Sequence, residues 1–290
     1  MSAVRPIPAT AGLSKSQQVA LLSLLTDEDP VVYQTVRKKI LSCGHPAAEW
    51  LRPHTISDDP ALRRRAREIV LHFERQTADD HFLAFCLRHG EDFDLEQGAW
   101  LLARTRYPLI NVDAYKALLD SYAAELKERL GPPGDPLEIL SATNRYLFRE
   151  LGFAGNEENY FDPENSYLNR VMDRRTGNPI NLCLVYILLA RRLRLPVTGI
   201  GLPGHFVCRY QSSAVELYFD PFGGGKILSK GECFQLLAQR SVGLPAETLA
   251  PVSPRRLLLR VCKNLHQIYQ RMELATEATR LQRYMVALAR

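Results

Sequence analysis

A cysteine, a histidine and an aspartate follow one another at Cys183, His205 and Asp220. These residue types can perform thiol chemistry. A thiolate attacks an acyl carbon, an imidazole moves the proton, and a carboxylate fixes the imidazole's tautomer and direction. A free thiol titrates near ~8.5, so it needs a helix N-terminus or a nearby cation to ionise at neutral pH. Cys183 lies early in PINLCLVYILLARR, an apolar run of helical texture opened by Asn178-Pro179, an N-cap followed by a first-turn proline. His205 opens the strand-like HFVCRY and Asp220 closes the strand-like AVELYFD. Backbone N–H groups at Asn178 to Asn181, with the Asn181 side chain, would then supply an oxyanion hole. The competing reading is plainer: Cys183 as a small residue between helix and sheet, and His205–Asp220 as a hydrogen-bonded pair closing the sheet.

Three other motifs lack the context their chemistry needs. GIGLPG, Gly199 to Gly204, has dinucleotide-fingerprint spacing, but a strand-like segment follows it where a phosphate-binding helix should open. FGGGKI has no hydroxyl after Lys226 and the wrong spacing for a phosphate loop, so its glycines read as a turn. His205 and Cys208 are three apart in a strand and face opposite sides, which argues against a shared metal. Neither metal nor cofactor is expected.

The elements that must position the triad are mostly helical. SKSQQVALLSLL, DEDPVVYQTVRKKILSCG and DDPALRRRAREIVLHFERQ predict three helices, two with an Asp-Pro start, which suggests a HEAT-like region over residues 1–92. LEQGAWLLARTRYP, DAYKALLDSYAAELKERLG and PLEILSATNRYLFRELG predict three more. A polar stretch follows, with Asn165 or Ser166 capping a short helix over 168–172, then the helix from Asn178 to about Arg194 and three antiparallel strands. SKGECFQLLAQR is a helix, and a helical hairpin closes the chain. The fold class is α+β, a mostly helical protein with a central helix packed on a small antiparallel sheet. Expected boundaries are 1–92, 93–245 and 246–290.

Composition excludes several classes. The 290 residues are 46% hydrophobic and 24% charged, with a net charge of +5. That mildly basic balance gives nucleic acid only weak support, and the run Arg63, Arg64, Arg65 and Arg67 reads as a solvated helix face paired with Glu68. The longest apolar run, LCLVYILLA, is far short of the ~20 residues a bilayer needs, and the N-terminal residues hold no apolar leader. Six cysteines without pairing rhythm read as reduced thiols. A cytoplasmic protein without membrane association is expected; the sequence specifies no oligomeric state.

GNPINLCLVYILLARRLRLPVTGIGLPGHF followed by FDPFGGG, with EQGAWLLARTRYP and NYFDPENSYLNRVMDRRTGNP upstream, resembles the bacterial SirB family, whose transglutaminase-like core is related to papain-like thiol enzymes. The resemblance runs from about Glu96 to Lys230. RVCKNLHQIYQRMELATEATRLQRYMVALAR is similar to a shortened form of the family's C-terminal tetratricopeptide-like helices. The resemblance implies that His205 and Asp220 stand at the family's histidine and aspartate positions. In active transglutaminase-like enzymes the nucleophile is the first helical residue, which here falls on Pro179. Cys183 lies one turn further in, at a place where relatives also carry Ser or Ala. It therefore implies a core with a degraded or absent nucleophile: a non-catalytic or weakly catalytic regulatory module that binds a peptide or protein around Asn165, Asn178, Asn181 and Arg192. The alternative it leaves is a thiol hydrolase or acyltransferase acting through Cys183, His205 and Asp220.

Overall fold

At Asp29-Pro30 and Asp59-Pro60 an aspartate followed by proline starts a helix, because the carboxylate caps a free N–H and proline presets the first turn. Asp29 Oδ1 accepts from Val31 N at 2.8 Å, and Asp59 Oδ1 from Ala61 N at 2.8 Å. The computed structural model describes residues 13–88, 94–130, 135–238 and 249–290. It divides into two compact units, Met1–Asp79 and Asp80–Arg290.

The first unit holds α1 (Lys15–Leu25), α2 (Pro30–Ser42), α3 (Pro46–Leu51) with a 3-10 turn at Arg52–Ile56, and most of α4 (Pro60–Arg88). The short α3 has no counterpart in the sequence reading. Leu25, Ile40, Leu51, Ile69 and Phe73 form its core. The arginine run differs from the expected paired face. Arg63 donates to Ser57 O at 2.6 Å, Arg65 to Asp27 O at 2.7 Å and Arg67 to Thr55 O at 2.7 Å. Arg65 also lies 4.4 Å from the Tyr33 ring centroid. Glu68 pairs with Arg37 at 3.0 Å and accepts from Tyr33 Oη at 2.9 Å. Chain turns need donors for their carbonyls, and these guanidinium groups supply them.

The second unit is built around one buried helix. After α5 (Leu95–Arg106), α6 (Val112–Leu130) and α7 (Pro136–Asn144, continued by a π turn at Arg145–Glu150), the chain forms β1 (Ala154–Gly155) and α8 (Leu168–Arg174). Then come β2 (Thr176–Gly177), parallel to β1, and α9 (Pro179–Arg192). Every residue of α9 from Pro179 to Ala190 is buried. The helix stops two residues short of the expected Arg194, whose positive φ of 57° is not helical. The expected cap of α8 also differs: Tyr167 stands at the N-cap and its side chain caps no N–H, while Asn165 and Ser166 bond elsewhere.

An antiparallel sheet follows in the order β3 (Val197–Leu202), β4 (His205–Gln211), β5 (Glu216–Asp220) and β6 (Lys226–Leu228). Phe206, Cys208 and Phe219 belong to the same core as α9. Val207, Ile200, Leu202 and Tyr218 pack with Cys233 of α10 (Lys230–Ala238) on the opposite face. Both faces are therefore covered, which explains why HFVCRY reads as nearly continuous apolar sequence. The turn into β6 uses Gly224 and Gly225 at φ of 68° and 81°, and the three residues of β6 were too few to register as a strand.

α11 (Pro254–Arg271) and α12 (Ala275–Leu288) form the closing hairpin. Leu258, Leu265, Tyr269, Leu281 and Tyr284 join the core that contains α9, although the sequence suggested a separate segment from 246. Buried Arg255 ties this hairpin down, donating to Cys86 O at 3.0 Å, Ala287 O at 2.6 Å and Leu288 O at 2.9 Å. The architecture is α+β and mostly helical. Among the described residues no helix is long and apolar enough to cross a membrane.

Candidate functional site

His205 is the first residue of β4 and Asp220 the last of β5. The two strands are antiparallel, with Cys208 opposite Phe219, so this register brings the two strand ends together. His205 Nε2 lies 2.9 Å from Asp220 Oδ2, and both side chains are mostly buried. The other carboxylate oxygen accepts the Phe222 N–H at 3.0 Å. Two acceptor interactions hold the carboxylate in place and leave His205 Nδ1 as the ring nitrogen for any reacting group. The Phe222 ring meets the imidazole edge-on, with centroids 6.0 Å apart. Gly155 lets Phe222 reach that position, because a Cβ there would lie 2.7 Å from the ring.

A cavity of about 590 Å³ opens at this pair. The first turn of α9, from Asn178 to Ile180, forms one wall, and Arg260, Asn264 and Gln267 of α11 form another. Tyr160, Phe161 and Phe222 supply aromatic surface. Arg260 Nη2 donates to His205 O at 2.7 Å and to Leu202 O, and its guanidinium lies 5.5 Å from the Phe206 ring centroid. Burial lowers its pKa from the usual arginine value.

The sequence-predicted residues divide sharply. His205, Asp220 and Asn178 line the cavity, whereas Cys183 does not. The Cys183 side chain has no exposed surface, and its thiol points to Phe206 O at 3.5 Å. Burial pushes the thiol well above its ordinary pKa, and the neighbouring Cys208 and Asp220 push it the same way. Asn178 caps α9: its Oδ1 accepts from Asn181 N and Asn181 Nδ2, each at 3.0 Å, and its Nδ2 donates to Ser166 Oγ at 2.8 Å. Asn181 is buried behind that cap rather than on the cavity wall.

Asn165 and Arg192 are also placed elsewhere. Asn165 is fully buried, donating to Asn159 O at 2.8 Å and accepting from Asn156 Nδ2 at 2.9 Å, so it organises the loop beneath Tyr160. Arg192 binds Glu96 at 2.9 Å and Asp120 at 2.6 Å, tying the end of α9 to α5 and α6. Sequence reasoning missed Arg260, Phe222 and the pair Tyr160-Phe161. Phe161 is 53% exposed and carries Arg271 at 4.0 Å over its ring. Adjacent aromatics in a polar loop were the available signal for that pair; Arg260 offered none beyond its place on an amphipathic helix.

Residues 113–263 match the family model described as the transglutaminase-like superfamily. The chain is 39% identical over 186 residues to a UPF0162 protein of Xylella fastidiosa strain 9a5c, covering 62% of this chain and 66% of that protein. The chain thus spans just under two thirds of that relative's length. It is 31% identical over 151 residues to UPF0162 protein PA3419 of Pseudomonas aeruginosa, covering 50% of this chain and 55% of the relative. F-box only protein 21 of mouse is 33% identical over 142 residues, covering 46% of this chain and 22% of the mouse protein. No solved structure matches.

Proposed function

The chain belongs to the transglutaminase-like superfamily, and from that membership we propose that it is a SirB-type regulatory module that binds a peptide or protein segment without turning it over. The observation that carries this reading is the separation of parts. His205 and Asp220 face a cavity, while the only cysteine of the expected triad is sealed in the core with its thiol protonated. A nucleophile must meet its substrate, and a buried thiol with a raised pKa meets neither substrate nor base. The cavity falls within the ~300–1,000 Å³ common for ligand sites and mixes aromatic walls with a few polar groups. Recurrence of the core within 22% of the mouse F-box only protein 21 fits a module carried in larger chains. A protein partner is favoured over nucleic acid, because Arg63, Arg65 and Arg67 bind backbone carbonyls within their own unit. All six cysteines are free, in keeping with a cytoplasmic site of action.

Thiol hydrolysis or acyl transfer through Cys183, His205 and Asp220 is the second reading, favoured by the His205–Asp220 pair at 2.9 Å. One experiment separates the two. Fluorescein-labelled hexapeptide pools are titrated against the whole chain by anisotropy, and the same samples are assayed for amide turnover. Binding that falls in Phe222→Ala and persists in Cys183→Ala is the expected result. Turnover that disappears in Cys183→Ala would overturn the binding module in favour of the enzyme.

A further inference from the structure

Arg260 is the arginine on the cavity wall, and its contacts differ from those of two other arginines of the second unit. Arg192 binds Glu96 and Asp120, and Arg170 binds Glu164 and Asp173. Arg260 has no carboxylate partner among the described residues; its contacts are two carbonyl oxygens and the face of Phe206. Both carbonyls engage Nη2, so the guanidinium is held in one orientation on the cavity wall. Nε and Nη1 make no hydrogen bond among the described residues. A half-buried cation without a counter-charge is costly in a medium of reduced dielectric. The lowered Arg260 pKa, caused first by burial, expresses the same cost.

Among the described residues, no carboxylate lining the cavity pairs with Arg260. Asp220 is engaged by His205 and by the Phe222 N–H, and no ion pair joins it to Arg260. The first turn of α9 adds the positive end of a 14-residue helix. Asn264 and Gln267, four and seven residues after Arg260, lie along the same side of α11 and offer amide donors to the same space.

We propose that the cavity selects peptides carrying a carboxylate, and that Arg260 is its anchor. This rests on the peptide-binding reading above and adds the chemistry of what is bound. One guanidinium balances one carboxylate. A phosphate dianion would bring excess negative charge beside Asp220, so a carboxylate fits the site better. The carboxylate belongs either to a Glu or Asp side chain or to a peptide C-terminus.

Three fluorescein-labelled hexapeptide pools distinguish these sources: one with an internal Glu and an amidated C-terminus, one with Gln and a free C-terminus, and one with Gln and an amidated C-terminus. Anisotropy with the whole chain is expected to show one of the acidic pools binding about tenfold more tightly than the neutral pool, as charged hydrogen bonds require. That preference should collapse in Arg260→Gln and be partly restored in Arg260→Lys, with binding of the neutral pool nearly unchanged. Equal binding of all three pools to the wild type would overturn the inference while leaving the peptide-binding reading intact. A preference that survives in Arg260→Gln would also overturn it. Binding of no pool overturns the peptide-binding reading and this inference with it. The wild-type comparison needs no variant, so it holds even if substitution at Arg260 disturbs the Leu202 and His205 carbonyls.

Discussion

The N-terminal turn of α9 and the turn after it occupy different environments. At the first turn, Asn178, Pro179 and Ile180 form a cavity wall beside His205. One turn later, Cys183 sits among Phe206, Cys208 and the rest of the core with no exposed surface. The residue types for thiol chemistry are all present, yet a displacement of one helical turn, ~5.4 Å along the axis, separates access from isolation. Access and pKa then reinforce each other. The buried thiol cannot be reached, and the same burial keeps it protonated.

The largest effect expected from this contrast comes from moving the thiol. In Pro179→Cys the new thiol stands on the cavity wall, within the favourable field of the helix N-terminus. Iodoacetamide at pH 7 should alkylate it about a thousandfold faster than Cys183, whose reaction waits for local opening. Peptide mapping by mass spectrometry assigns each modified cysteine. Comparable rates for the two would break the distinction between the turns.

The second test concerns the stability that dry thiols confer. Burial raises the pKa of Cys86 to about 12 and pushes Cys183 and Cys262 well above their ordinary value. In the unfolded chain these thiols titrate near ~8.5. Above that pH the unfolded state releases protons that the folded state retains, so stability falls as pH rises. It is fully present below the unfolded value. Each of these three thiols contributes a loss of about 1.4 kcal/mol between pH 7.5 and 9.5, together about 4 kcal/mol, and Cys233, raised to about 11, adds a similar share. Urea melts at the two pH values measure it. Cys183→Ala should remove about one thiol's share of the pH-dependent loss, and an unchanged loss would mean that Cys183 is not sealed.

What the sequence disclosed follows the range of the interactions involved. Asn178-Pro179 marked the start of α9, and its apolar composition marked its burial, because capping and periodicity are local signals. The meeting of His205 and Asp220 needed only the ends of adjacent antiparallel strands. Arg192 looked like a surface residue at the end of a helix, since Glu96 and Asp120 are distant in sequence. Arg260 was hidden for a related reason: helical spacing in α11 shows which face is apolar, not which cleft the helix borders. Asn165 misled in the other direction. A polar loop usually reads as exposed, but a tightly folded loop buries the asparagine that satisfies its backbone groups.

The smallest expected effect lies on the wetter side of the contrast. Asp220→Asn keeps a side-chain oxygen for one of its two contacts, His205 Nε2 or the Phe222 N–H, but loses the charge and half of the acceptor capacity. Because the pair is partly solvated, water can replace part of what is lost. The cost should be about 1 kcal/mol, within the range for a single hydrogen bond and below the pH-dependent loss from the buried thiols. Thermal or urea denaturation at pH 7 reads that cost. If His205–Asp220 is a structural pair that shapes the cavity, binding of the peptide pools should weaken no more than the altered position of Phe222 requires, and Phe222→Ala should weaken it further. A variant that folds normally and binds normally but loses amide turnover would instead give the pair a catalytic role, and the contrast between a wet dyad and a dry thiol would need a nucleophile other than Cys183.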